Sequence, residues 1–192
     1  MSSILLPFLF GAALFALIST NWRGKLLALA AQYVLLLFLV GQSWPLGLSA
    51  VKAIAGLIAA AILAYTQLSL IGSQREEAEF STGVAFKMLT FFFAAILVYA
   101  VAPRSLAWIP ALSNQQAIAG FLLIAAGLIH VALDSRILPT IVGLLTLFSG
   151  FELIYAAVEI SSLLAGLLAV INLGIALVGA FLLLLPTLEP SE

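Results

Sequence analysis

Seven stretches of this chain stay apolar for about 17 to 26 residues at a time, and little separates them. A bilayer core about 30 Å thick needs about 20 apolar residues per helix, so each stretch has the length of a membrane crossing. Inside a bilayer the backbone must satisfy its own hydrogen bonds, which leaves helices for segments of this kind. The expected fold is therefore all-α: a polytopic membrane protein with about seven transmembrane helices, at 2–20, 26–42, 46–71, 84–101, 115–133, 137–158 and 161–185. The interruptions are NWRGK, a short SWP turn, GSQREEAEFSTG, APRS with IPALSN, DSR, and a step at Glu159. Pro45 ends the second helix, and Trp44 beside it suits a membrane interface.

Composition enters as a check on class. With 65% hydrophobic and 8% charged residues, a soluble domain of 192 residues could not hide the apolar surface. There is no cysteine, which excludes disulfides, thiolate zinc sites and cysteine-ligated clusters. A single histidine cannot supply a bis-histidine haem, so no cofactor is expected. The net charge of −1 and the absence of a basic tract give nucleic acid no electrostatic purchase. The first twenty residues lack a positive n-region and read as a retained helix. The chain reads as one transmembrane domain, 1–192, with a faint parallel repeat relating 1–71 to 115–185.

Seven crossings place the termini on opposite sides. Loops one, three and five carry Arg23, Lys25, Arg75, Lys87 and Arg136, whereas loops two, four and six carry only Arg104. The positive-inside rule then puts the N-terminus outside and the C-terminus inside. The acidic run Glu76, Glu77 and Glu79 falls in an inner loop, as a solvated segment or a docking patch.

Two charges fall deep inside the apolar runs. Glu152 is the only charged residue between Arg136 and Glu159, and an intramembrane carboxylate costs roughly 2.5 to 3.5 kcal/mol on insertion scales. Lys52 lies about six residues into the third helix, roughly 9 Å deep at 1.5 Å per residue. Glu152, seven residues from Glu159, lies roughly 10 Å deep from the same side. The matching depth predicts that the two face each other; the alternatives are that Lys52 snorkels outward and that Glu152 is a protonated, hydrogen-bonded carboxyl.

Other polar groups extend this set. Phe148, Glu152, Tyr155 and Glu159 share one helix face, either an outer route to Glu152 or a face turned to a partner. His130 has Asp134 four residues on, a spacing at which imidazole and carboxylate can hydrogen-bond, or simply cap a helix end. Candidate ion-path residues are thus Glu152, Lys52, Tyr155, Glu159 and His130. Small residues at Gly56, Ala60 and Ala64, and at Ala165, Ala169, Ala176 and Ala180, suit close packing of the third and seventh helices. No nucleophile, acid and base converge, which disfavours a membrane enzyme.

From Ala126 the string AGLIHVALDSRILPTIVGLLTLFSGFELIYAAV combines a helix, a turn with arginine, and a helix with Gly143-Leu144 near its start and a polar residue inside. It resembles the hydrogenase 4 component E type of membrane protein, and more distantly the K-type membrane subunit of respiratory complex I and the C-type membrane subunit of the Mrp cation/proton antiporters. Lys52 in SAVKAIAGL resembles a lysine in the third helix of the component E proteins. Where the complex I protein carries its membrane glutamate, this chain has Leu145, and Glu152 lies about two turns further outward. The resemblance implies a small subunit of the cytoplasmic (inner) membrane beside antiporter-like membrane subunits, in a complex that couples redox chemistry in a peripheral module, or ion exchange, to proton or cation movement. A stand-alone small transporter or channel is the alternative.

Overall fold

A computed structural model describes residues 2–70 and 83–188. The run Arg75, Glu76, Glu77 and Glu79 lies outside the described residues. The described chain is all-helical: α1 (Ser2–Ile18), α2 (Trp22–Val40), α3 (Leu46–Ser69), α4 (Val84–Ser105), α5 (Asn114–Leu133), α6 (Ile137–Val158) and α7 (Ser162–Leu188). Six helices are long and apolar enough to cross a membrane. The exception is α1, whose 17 residues span about 25 Å, short of the core it was expected to cross.

Helix ends follow local capping. Asn21 accepts a hydrogen bond from the Arg23 amide at 3.0 Å and starts α2 at Trp22, four residues before the sequence suggested. That cap draws Lys25 out of the expected loop and into the first turn of a helix. Lys87 is likewise the fourth residue of α4. Neither is a loop charge, and both are buried. Ser113 and Gln116 form a reciprocal capping box at the start of α5. The Gln116 amide also donates to the Leu39 carbonyl at 3.0 Å and to Ser43 Oγ at 2.8 Å, tying α5 to the end of α2.

Taken by contact, α4, α1, α2, α3, α7, α6 and α5 form a closed circuit, and contacts of α1 with α5 and of α2 with α6 fill its middle. Exchanging α1, α2 and α3 with α5, α6 and α7 leaves this set of contacts unchanged. Lipid tails are as apolar as leucine, so association rests on close packing and on polar contacts rather than on apolar burial. The closest packing joins α5 to α6. A Cβ on Gly127 would lie 2.5 Å from the Gly143 carbonyl oxygen and from the Leu147 amide nitrogen. One on Gly150 would lie 2.5 Å from the Gly120 carbonyl. The stripe seen in α3 serves differently: Gly56 makes room for the Tyr33 ring. Outward, Leu89, Phe93, Ile96 and Tyr99 of α4 are exposed, as suits a lipid-facing helix.

Candidate functional site: a buried polar axis

The bundle brings Lys52 and Glu152 together. Lys52 Nζ donates to Glu152 Oε2, and both residues are buried. Seven residues into α3 and seven from the end of α6, they meet at one level, as equal depth required. Lys52 is turned inward and does not snorkel.

Below this pair the polar residues continue along α6 at intervals of three: Glu152, Ser149 and Thr146 lie on one face, all buried. Opposite them α2 presents Gln32 and Tyr33, and α7 presents Asn172. The Tyr33 hydroxyl donates to Asn172 Oδ1 at 2.9 Å, and Thr146 Oγ1 donates to Gln32 Oε1 at 3.2 Å. Tyr33 also sits beside Ser149, whose Oγ makes no hydrogen bond among the described residues. One further helical step of three leads to Gly143, against which His130 Cβ packs.

His130 opens onto a charged end. Asp134 accepts from Arg136 Nε at 2.9 Å, from Arg136 Nη2 at 2.8 Å and from Lys87 Nζ at 3.3 Å. Lys25 is buried nearby and reaches the Ala16 carbonyl at 3.3 Å. Burial pushes the Asp134 carboxyl upward, but the Arg136 guanidinium and Lys87 outweigh it and hold it well below the usual carboxylate range. Of the two readings of this pair, the structure has the cap: Asp134 ends α5 and accepts from Arg136 and Lys87, not from His130. The reason is local: Asp134 is the C-cap of α5, with extended φ −138° and ψ 120°, so the helical four-residue spacing that would face it to His130 ends one residue too soon.

From Lys25 to Gln32 is seven residues, about 10 Å of rise, and from Thr146 to Glu152 is six, about 9 Å. Gln32 and Thr146 are bonded, so the string covers about 20 Å of a core about 30 Å thick. Three buried side-chain atoms lack a hydrogen-bond partner among the described residues: Gln32 Nε2, Ser149 Oγ and His130 Nε2. All three belong to this string.

The outer residues are placed differently. Tyr155 is half-buried with its ring 5.9 Å from that of Phe151, and Glu159 is exposed at the C-cap of α6, where its carbonyl accepts from Trp44 Nε1 at 2.9 Å. Among the described residues no hydrogen bond joins Tyr155 to either carboxylate. Sequence reasoning passed over Tyr33, Thr146 and Ser149, although the three-residue rhythm back from Glu152 was available to find two of them. It also took Lys25 for a loop residue, where Asn21 would have signalled an earlier helix. Among the described residues, no cluster of three or more histidine, cysteine or acidic side chains could hold a metal ion. The polar axis thus belongs to a membrane-embedded helical bundle that no family model, no curated protein and no solved structure matches.

Proposed function

We propose that this chain is a small integral membrane subunit of a multisubunit ion-translocating complex, complex I-like, group 4 hydrogenase-like or Mrp antiporter-like, and that its polar axis carries protons or small cations. The observation that carries this reading is the alignment of the axis: two intramembrane charges lie near one side, a charged cluster lies at the other, and buried hydroxyl and amide groups are spaced between them. Polar groups cost free energy at membrane depth, and ionisable ones there usually face a partner, a water path or an ion path. Gln32 Nε2, Ser149 Oγ and His130 Nε2 lie along the string without a hydrogen-bond partner among the described residues, and a conducting path would need water to bridge such groups. A proton arriving at Glu152 releases Lys52, and the return of Lys52 expels it again. Tyr33, Ser149 and Thr146 supply hydroxyls between that pair and His130. The cation-rich end is read as cytoplasmic, in a cytoplasmic (inner) membrane, and antiporter-like membrane subunits are the neighbours, with a peripheral redox module where the complex is an oxidoreductase.

A second reading, a stand-alone transporter, is favoured by the axis lying within one chain. Affinity purification of the tagged chain from native membranes in mild detergent separates the two. Recovery of large antiporter-like subunits in fixed proportion supports the subunit, and recovery of this chain alone or as a homo-oligomer refutes it. In vesicles bearing whichever assembly is recovered, Glu152→Gln should abolish most ion flux while leaving the assembly intact. Unchanged flux would remove the ion-path role.

A further inference from the structure

The slot between α2 and α3 at the charged end is a different kind of site from the axis and does not depend on it. It is about 410 Å³ and almost wholly apolar. Ala30, Ala60 and Ala64 contribute small side chains to its lining, while Leu27 is 70% and Leu57 38% exposed at its sides. It extends along α2 from Arg23 to Ala30, about 10 Å of rise, and so runs along the helices rather than across them. Trp22 and Arg23 line its outer end, with the Arg23 guanidinium 5.2 Å from the centre of the Trp22 ring.

Charge distinguishes Arg23 from the other cations at this end. Lys25 is turned into the bundle, and Lys87 and Arg136 are committed to Asp134. Arg23 is exposed, and among the described residues it meets no carboxylate. An elongated apolar slot ending in a guanidinium and an indole at membrane-interface depth has the chemistry of an anionic amphiphile's binding site. The projecting leucines keep the backbone of another helix away from the alanines but leave room for a hydrocarbon chain.

We propose that this slot is a specific site for an acidic phospholipid, which lays one acyl chain between α2 and α3 and sets its phosphate on Arg23. The residues that sequence alone assigns to helix packing, Ala60 and Ala64, here serve to admit a lipid chain.

Trp22 reports on the site directly. Trp44 is buried at the opposite end of the bundle, and Trp108 follows α4 at that same opposite end, so the signal lost in Trp22→Phe is the signal of the slot. The full chain is reconstituted in phosphatidylcholine vesicles, and phosphatidylglycerol or phosphatidylcholine with brominated acyl chains is added at low mole fraction. Brominated phosphatidylglycerol should quench the Trp22 signal with about a fivefold preference over its neutral counterpart, the scale set by one basic residue near an anionic headgroup. Arg23→Gln should reduce that preference to one, and Ala64→Phe should lower quenching by both lipids. Arg23 is exposed, so its variant tests the site even if Ala64→Phe does not fold. Equal quenching by the two lipids, a preference unchanged in Arg23→Gln, or protection of Trp22 from both lipids by a protein seated in the slot would overturn the proposal.

Discussion

Removing one member of the Lys52–Glu152 pair should cost far more than removing both. Lys52→Met leaves a carboxylate in a site 2% exposed, and Glu152→Leu leaves an ammonium in one 6% exposed. A lone charge at the centre of a membrane helix costs roughly 2.5 to 3.5 kcal/mol on insertion scales, and breaking a buried pair costs about 3 to 5 kcal/mol. The two ranges meet near 3 kcal/mol, which is the loss expected for each single variant. Lys52→Met with Glu152→Leu replaces the pair by apolar side chains of similar size and should fall within about 1 kcal/mol of the parent, or exceed its stability. The coupling in the double-mutant cycle is then about 5 kcal/mol in magnitude. Reversible unfolding of the purified chain in mixed micelles, followed by helical circular dichroism, measures all four forms. Additivity within about 0.5 kcal/mol would mean that the two residues do not act as a pair and that equal depth does not couple them. Flux supplies a second readout: the double variant should fold and yet not conduct, which separates holding the bundle together from carrying ions.

Further outcomes follow from the packing and from the other end of the axis. Gly127→Ala should separate α5 from α6 and destabilise the fold, because its Cβ would lie 2.5 Å from backbone atoms of α6, whereas Gly166→Ala meets nothing within 4 Å and should gain up to about 1 kcal/mol in helix propensity; thermal melts of both variants check this. Tyr33→Phe loses its hydrogen bond to Asn172 and should cost about 0.6 kcal/mol of stability while reducing flux severely, so a variant with normal flux would take Tyr33 out of the path. The Asp134 clamp should contribute fully above the unfolded carboxylate range near pH 4 and be lost only as pH falls through the depressed folded-state value; parent stability should therefore be insensitive to this group from about pH 5 upward. Asp134→Asn should be destabilised across that same range in pH-dependent melts, and an unchanged midpoint would show that the clamp stabilises nothing.

Much of the fold was legible because membrane helices are written in long apolar runs, and the boundaries of α5, α6 and α7 fell within a residue or a few of those expected. The Lys52–Glu152 contact was legible for a narrower reason: two charges at one depth in a low-dielectric slab have few other places to go. The continuation through Ser149, Thr146 and Tyr33 was not, since hydroxyl residues are common in membrane helices and a single sequence does not say which of them face each other. For His130 and Asp134 the sequence left a hydrogen bond and a helix-end cap both open, and the end of α5 at Leu133 decides for the cap. Lys25 misled because charge was taken as the mark of a loop, whereas a cap such as Asn21 decides where a helix begins; Lys87 was counted with the third loop although the helix expected from 84 already held it. The α5–α6 crossings at Gly120, Gly127, Gly143 and Gly150 were overlooked, although these glycines recur seven residues apart on each helix.

One hundred positions separate Lys52 from Glu152, and that interval has a meaning in time. At roughly 5 to 20 residues per second, the ribosome adds those residues in about 5 to 20 s. For that long α3 sits in the bilayer with an ammonium and no counter-charge, and its flexible stem lets the head reach back to the interface. Until α6 is made Lys52 has no Glu152 to pair with, and its long stem is what allows the ammonium to be held toward the interface in the meantime. Biogenesis therefore has an order that cannot be reversed without stranding a carboxylate, whose shorter side chain has no comparable reach to the surface.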